Sequence, residues 1–455
     1  MLKALVLPVP PAMPLVRPSV VHLAVALGLA LVAANMPAHA EGLIEVYRMA
    51  EQNDAKLRAA NQARLASREA LPQAQAQLLP NLSAALGLAH DWTSYPKKSS
   101  LDADYSSSNY SVTLVQPLYD RARFVAHDQA EQIAQRAEVD YADGQQELLL
   151  RSSEAYFAVL RAQAELRLAE ADLSAAQKRL EQTEKRFEVG LVAITDLADA
   201  RSARDQASAR RIGAEAALDN AREALRVLTV QEPAGLLDVR DDLSPLPPEP
   251  SDPKAWVVFA ERQNLALQSA GLGMDIARHE IEKQRSGHYP TVNLSASYAY
   301  QDTYAVSMGG DLQSHDTRVG VQLNMPLYSG GGIDSRTRQA TYSFQQAQDN
   351  FEAARREAVR ATRDGYRAVT AKMGEMDAYA QGLKSAETQL AANEAGYEVG
   401  TRTIVDVITA QSQVTQARRN LFNARYDYLL AGLRLKRAAG TLQLADLEAL
   451  QRDLR

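Results

Sequence analysis

Residues 186–200 read Arg-Phe-Glu-Val-Gly-Leu-Val-Ala-Ile-Thr-Asp-Leu-Ala-Asp-Ala, and residues 396–410 read Gly-Tyr-Glu-Val-Gly-Thr-Arg-Thr-Ile-Val-Asp-Val-Ile-Thr-Ala. The same offset of 210 positions recurs at Ala50/Ala260, Glu51/Glu261, Pro80/Pro290, Ala130/Ala340, Tyr156/Tyr366, Ala158/Ala368 and Val159/Val369. An offset this long over 455 residues means two similar halves, not a solenoid of short repeats.

Each half runs in one order: a helical stretch, an alternating segment, a polar loop, a second alternating segment, then two very long helical stretches. After Pro80, Leu82, Ala84, Leu86, Leu88 and Trp92 alternate with Asn81, Ser83, Ala85, Gly87 and Asp91. After Pro290, Val292, Leu294, Ala296, Tyr298 and Tyr300 alternate with Thr291, Asn293, Ser295 and Gln301. Tyr110, Val112 and Leu114 precede Pro117 in the same pattern, as Val319, Val321, Leu323 and Met325 precede Pro326. A period of two predicts strands with one apolar and one polar face.

Such strands ordinarily form a half-exposed sheet on a soluble domain. Three features point instead to a membrane. Their length matches the roughly 9 to 11 residues of a transmembrane β-strand. The connecting loops, 93–109 and 302–317, are matched in length and rich in Ser, Asp and Gly. Ten of the eighteen Tyr and two Trp lie in or beside the strands, and aromatic residues at strand ends form the girdles of outer-membrane barrels. The candidate girdle is Trp92, Tyr110, Tyr119, Tyr298, Tyr300 and Tyr328. Four strands leave open edges in lipid, where each unpaired backbone group costs several kcal/mol. The sheet must therefore close with other copies. Two chains give eight strands around a filled interior and three give twelve around a lumen, and the trimer is preferred.

Beyond Pro117-Leu118-Tyr119 and Pro326-Leu327-Tyr328 the period changes. Leu166, Leu173, Leu180 and Phe187 recur every seventh residue with Ala169, Ala176 and Thr183 between them; Met376, Leu383, Leu390 and Tyr397 repeat the register with Tyr379, Ala386 and Asn393. A heptad with small d positions predicts a close-packed, left-handed helix pair. A helix over about 120–188 would extend roughly 100 Å at 1.5 Å per residue. Val189-Gly190 and Val399-Gly400 supply C-cap glycines, so each half ends in a tight helix-turn-helix tip.

Composition narrows the function. Lys3 and Arg17, the apolar run Val20 to Ala34 and Ala38-His39-Ala40 read as a secretory leader ending before Glu41. That run is too short for a membrane helix, and no other stretch approaches the roughly 18 apolar residues one needs. There are no cysteines, which removes disulfides, thiolate metal sites and cysteine catalysis. Without the leader the charge is about -8, which gives no support to nucleic-acid binding. His90, His127, His279, His288 and His315 show no metal-ligand spacing, and no zinc-protease, nucleophile-elbow or phosphate-loop motif occurs. Gly330-Gly331-Gly332 lacks the Lys-Ser/Thr of a phosphate loop and reads as a helix start. Neither an enzyme nor a cofactor is expected.

The expected organisation is a leader, 1–40; a first repeat, 41–229, with strands at about 80–92 and 109–117; a Pro-rich crossover, 230–253; a second repeat, 254–440, with strands at about 290–302 and 318–326; and a short tail, 441–455. Taken together, Val189-Gly190-Leu191-Val192-Ala193-Ile194-Thr195-Asp196, Val399-Gly400-Thr401-Arg402-Thr403-Ile404-Val405-Asp406-Val407, Gln116-Pro117-Leu118-Tyr119 and Met325-Pro326-Leu327-Tyr328 resemble the TolC family of outer-membrane channel-tunnels. The resemblance covers essentially all of the chain after the leader. It implies an α+β membrane protein: a homotrimer with a twelve-stranded transmembrane β-barrel, four strands per chain, continued by a long periplasmic α-helical barrel of coiled-coil hairpins. It further implies residence in the cell outer membrane with a large periplasmic extension, contact with outer-membrane lipid, a periplasmic adaptor and an inner-membrane ABC or proton-driven transporter as partners, and passive conduction of drugs or an unfolded secreted protein.

By the same resemblance, Arg402 pairs with Thr195 and Asp196, and Tyr397 with Asp196, as gate links, while Asp406 forms a luminal selectivity ring. The family often carries a second ring acid three residues on, where this chain has Thr409. The tips Val189, Gly190, Leu191, Val399, Gly400 and Thr401 are the expected adaptor-docking surface. Exposed polar links are individually worth only about 1 kcal/mol, which suits a gate that a partner must open. Plainer readings stand beside these: Arg402 and Asp196 as solvated charges, Tyr397 as the last heptad knob equivalent to Phe187, Asp406 as a helix-surface acid. A trimeric periplasmic coiled-coil adaptor or adhesin is the alternative architecture; it suits the heptads but not the girdled strands or duplicated tips.

Overall fold

The computed structural model describes residues 41–94, 96, 103–233, 235–240, 243–305, 310–452 and 454. The expected leader, 1–40, lies outside them. Three short helices, α1 (Leu43–Asn53), α2 (Ala55–Arg68) and α3 (Ala70–Ala76), lead into strands β1 (Asn81–Thr93) and β2 (Ala103–Tyr119), then the long helices α4 (Arg121–Glu188) and α5 (Ile194–Thr229). The second half repeats the order with α6 (Pro253–Gln263), α7 (Leu265–Arg285), β3 (Thr291–Ala305), β4 (Gly310–Asn324), α8 (Gly332–Glu398) and α9 (Ile404–Ala438). At 68 residues, α4 is about 100 Å long. No helix among the described residues is long and apolar enough to cross a membrane.

The duplication holds down to single hydrogen bonds. Asp54 accepts the Leu57 amide at 2.7 Å to cap α2, and Asn264, its counterpart, accepts the Leu267 amide at 2.9 Å to cap α7. Ala50 and Ala260, Val159 and Val369, Leu197 and Val407, and Leu225 and Leu435 are buried at equivalent places. Tyr156 and Tyr366 both donate a hydroxyl to the crossover between the halves, at the Leu237 and Ser251 carbonyls respectively. The Trp256 indole nitrogen reaches the Pro250 carbonyl at 2.7 Å. A Pro-rich segment has few amides to pair in a ladder, so side-chain donors strap its carbonyls to the helices.

The largest core lies where α1, the middle of α4, the C-terminal parts of α5 and α9 and the crossover meet, around Leu43, Leu148, Tyr156, Phe157, Leu160 and Leu225. The short tail expected over 441–455 contains packed helical structure. Leu442 and Leu447 are buried, and Leu444–Gln451 forms helix α10 against α1. Eight residues hold too little periodicity to announce a helix that tertiary contacts stabilise.

The strands also run further than expected. The predicted loop over 93–109 is strand from Ala103 onward, and that over 302–317 is strand over 302–305 and 310–317. Pairing of opposing backbones carries each ladder past the end of the apolar alternation, through Ser106, Ser107 and Ser108 on one strand and Asp302 and Thr303 on the next. At the other end β2 passes Pro117 through a register shift to Tyr119, because proline has no amide for the ladder.

Candidate functional site

All four strands form one antiparallel sheet in the order β1-β2-β3-β4, so the two halves join edge to edge. Its register sorts the side chains. Leu86 sits opposite Tyr110, Tyr110 opposite Tyr300 and Tyr300 opposite His315; Leu82 aligns with Leu114, Ala296 and Val319. That face of the sheet is therefore apolar from the helix-proximal end to the row of Leu86, Tyr110, Tyr300 and His315, beyond which Leu88 aligns with Ser108, Asp302 and Gln313. The other carries Ser83, Thr113, Ser297 and Arg318 in one row and Ala85, Ser111, Ala299 and Asp316 in the next. A slip of one residue in any pair would mix the faces. The outer edges of β1 and β4 have no ladder partner among the described residues.

The aromatic residues bound the apolar face. Tyr110 stacks on Tyr300 at 4.9 Å between ring centroids, His315 lies 4.9 Å from Tyr300, and the Tyr298 hydroxyl meets His315 Nδ1 at 2.8 Å. These rings stand at mid-strand instead of at the strand ends, since the strands continue beyond them as polar ribbon. Trp92 is exposed near the far end of β1, with the His90 ring 4.4 Å away. Tyr119 and Tyr328 mark the helix-proximal end, Tyr119 lying 6.5 Å from Phe124 and Tyr328 fully open. Gly330 and Gly331 then adopt φ values of 59° and 76°, the left-handed region open to glycine, and so turn the chain into α8.

At the opposite end both hairpins close by the same device. Gly190 and Gly400 sit at φ 75° and 78°. The Leu191 amide donates to the Arg186 carbonyl and the Gly190 amide to Phe187, while Thr401 donates to Gly396 and Gly400 to Tyr397. These are Schellman caps, which need the left-handed residue that glycine provides. Val189, Leu191 and Val399 project from the caps, largely exposed, beside exposed Thr401.

The next helix in each hairpin starts with an acid at its third position. Asp406 Oδ2 accepts from the Thr403 amide at 2.8 Å and its hydroxyl at 2.9 Å, and the Thr403 hydroxyl oxygen accepts from the Asp406 amide at 3.3 Å, a complete capping box. Asp196 accepts only the Ala193 amide, at 3.3 Å. The bonds from Thr403, with the nearby Arg402 charge, hold the Asp406 carboxyl below the usual carboxylate range. Asp406 is therefore a helix-capping acid whatever else it does.

Arg402 is exposed and folds back over Gly396, where a Cβ would stand 2.7 Å from its Cγ. Within one chain, among the described residues, Arg402 forms no ion pair with Asp196 or bond to Thr195, and Tyr397 makes no bond to Asp196. Tyr397 instead lies under the Arg186 guanidinium, 5.0 Å from the ring centroid, and Arg179 approaches Glu394 at 3.8 Å. Neither arginine was singled out in the sequence. The signal was the comparison of copies: Arg186 stands where the second half has Gly396, and Val192 where it has Arg402.

Comparison with known proteins follows the same duplication. The family described as outer membrane efflux protein matches residues 46–229 and 256–441. The chain is 39% identical to the outer membrane protein TolC of Vibrio cholerae over 90% of this chain and 92% of that protein. It is 30% identical to the alkaline protease secretion protein AprF of Pseudomonas aeruginosa over 90% of this chain and 87% of that one. Among solved structures, the outer membrane protein VceC of Vibrio cholerae superposes with a TM-score of 0.74 at 20% identity, covering 88% of this chain and 96% of that one, which establishes a common fold.

Proposed function

The chain belongs to the outer membrane efflux protein family, and on that premise we propose how its geometry performs transport out of the cell. It is an outer-membrane exit duct with a periplasmic extension, serving efflux and type I secretion. The observation that carries the mechanism is the two-faced sheet with two open edges, continuous with helices about 100 Å long. The apolar face meets lipid, and the aromatic cluster around Tyr300 marks one membrane boundary while Tyr119 and Tyr328 mark the other. The polar face lines the lumen.

Edge strands left open in a bilayer would strand their backbone groups, so β4 of one copy pairs with β1 of the next. Three copies give twelve strands and a lumen wide enough to conduct, whereas two give a filled barrel. The coiled-coil adaptor or adhesin alternative gives no role to a sheet with a lipid-compatible face.

Conduction is passive: the chain offers a bore and a closure, and an energised inner-membrane transporter, ABC or proton-driven, supplies the work. The exposed apolar tips at Val189, Leu191 and Val399 suit docking by a periplasmic adaptor. Between copies, the exposed Arg402 would pair with Thr195 and Asp196 of a neighbour. The Asp406 carboxylates, ionised by their capping boxes, would form a cation-attracting ring at the narrow end.

Single-channel recording in planar bilayers tests this. Wild type should form a small, cation-selective channel; Arg402→Ser should enlarge the conductance and Asp406→Asn should weaken the selectivity. No enlargement in the first variant removes the lock, and unchanged selectivity in the second removes the ring. Co-purification of an ABC exporter or a proton-driven pump would assign the cargo to secretion or efflux.

A further inference from the structure

Inside one chain, α9 lies antiparallel to α4 in a register marked by ion pairs: Arg434 with Glu154 at 2.7 Å, Asp427 with Arg161, and Arg419 with Glu165 at 2.6 Å. The helical layer runs α5-α4-α9-α8, so α5 and α8 are its two flanks. Shifted forward by the 210-residue offset, α4 becomes α8; shifted back by it, α9 becomes α5. We propose that α8 of one copy packs on α5 of the next in this same register, to within a turn, with Arg367 facing Asp219, Arg363 facing Glu223 and Ile212 seated at Gly374. The inference rests on the reading of the chain as a duct built from copies joined edge to edge.

The two flanks carry opposite charge. Arg356, Arg360, Arg363 and Arg367 form one exposed stripe on α8, turned away from Thr362 and Val369, which pack against α9. Asp219 and Glu223 are exposed on α5, turned away from the buried Leu218 and Leu225. Their counterparts inside the chain, Ser153 and Phe157 on α4 and Leu429 and Leu433 on α9, are all buried. Positions that are dry within a chain are therefore basic on one flank and acidic on the other. In the single chain these charges pair only along their own helices, Arg367 with Asp364 at 2.6 Å and Glu223 with Arg226 at 2.8 Å, and Arg363 has no ion pair among the described residues. Exposed pairs one turn apart on a helix are weak, so they exchange readily for partners on another copy.

The same register supplies a steric fit. Phe422 and Ala164 line one cavity at the contact of α9 with α4. Their counterparts are Ile212, which is 57% exposed, and Gly374, where an added Cβ would meet nothing. A knob and a vacant place thus stand at matching levels on the two flanks. Two unlike flanks make a heterologous seam, which closes into a ring only if every copy follows the last in the same sense. Opposite charges enforce that sense, because α5 against α5 would set acid against acid and α8 against α8 base against base.

The test is assembly of the full-length protein in outer-membrane fractions, read as heat-resistant oligomer on SDS gels. R367E and D219R should each lower its yield by roughly 5-fold or more, an exposed pair being reversed at every seam of the ring, and R367E/D219R should restore most of it. The chain has no cysteine, so I212C/G374C under mild oxidation should give covalently linked copies on non-reducing gels, whereas I212C/Q381C, one heptad lower, should give few. If I212C/G374C misassembles, the charge exchange decides alone. Linked dimers from I212C by itself would show α5 meeting α5 and overturn the seam while leaving the duct standing. Linkage through Q381C in preference to G374C, or a charge exchange that restores nothing, would do the same. A wild-type protein that forms no oligomer would remove the duct and the seam with it.

Discussion

Gln451 Oε1 accepts the Ile44 amide at 2.8 Å, so a residue of the last helix caps the first helix across 407 positions. Gly42, the local N-cap of α1, has no side chain to do this itself. Helices α1 and α10 are thereby tied to each other beside the largest core, where Leu43 and Leu447 are fully buried.

Gln451→Ala should lower stability by about 1 kcal/mol, the usual worth of a cap. Deleting residues 444–455 should cost several times more, because Leu447 is lost with the cap. Thermal melts of the detergent-solubilised protein check both. Equal effects of the two changes would mean that α10 acts through the cap alone.

Asp54 combines two roles that the duplication allows to be separated. It caps α2 and accepts the Arg151 guanidinium at 3.0 and 3.1 Å. Its second-half counterpart is the uncharged cap Asn264. Asp54→Asn should keep the cap but lose the ion pair, whereas Asp54→Ala should lose both and destabilise more, leaving Arg151 only the Glu147 carboxylate at 3.4 Å. Burial would raise the Asp54 pKa, yet Arg151 and the Leu57 amide outweigh it and hold the carboxyl below its usual range. With the folded value depressed, this stabilisation is complete above the unfolded pKa of about 3.9 and is lost as pH falls through the folded value. In Asp54→Asn that part of the acid-induced loss should vanish.

Adjacent strand positions should respond oppositely to charge. Ala296→Lys places an ammonium on the apolar face at a cost of about 2–4 kcal/mol near mid-membrane, whereas Ser297→Lys places it in the lumen. The yield of assembled, heat-resistant oligomer in outer-membrane fractions should fall sharply in the first and little in the second. The reverse order would invert the faces assigned to the sheet.

The Asp406 carboxyl, held below its usual range by Thr403 and Arg402, contributes to helix capping above the unfolded pKa and ceases to do so as pH falls through the folded one. Thr403→Ala removes one acceptor and one donor of the box. Acid loosening of the tip, followed as exchange of the Asp406 and Val407 amides, should therefore begin at higher pH in that variant than in wild type. Identical profiles would show that the box does not hold the carboxyl down.

The duplicated motifs, the four strands, the heptads and the glycine caps were all legible because each rests on a local pattern of period 2, 3.5 or a required left-handed residue. Strand ends were not, since Ser106–Ser108 lack apolar alternation and are held by the backbones of the strands on either side. Helix α10 was hidden for a similar reason: its partner α1 lies at the far end of the sequence. At the tips, Asp196, Tyr397, Arg402 and Asp406 were found from resemblance, whereas Arg186 was passed over although it begins the quoted repeat. Attention to what the copies share conceals residues whose function lies in their difference.

The bare edges of β1 and β4 also govern how the molecule comes into being. A sheet whose outer strands find partners only on other chains has no finished monomer, so folding of the barrel and association are one equilibrium. For three chains, the assembled amount scales with the cube of the free-chain concentration. Modest changes in the rate of export would thus switch the duct between abundance and near absence, and every unassembled chain would present two adhesive edges to whatever strand it meets.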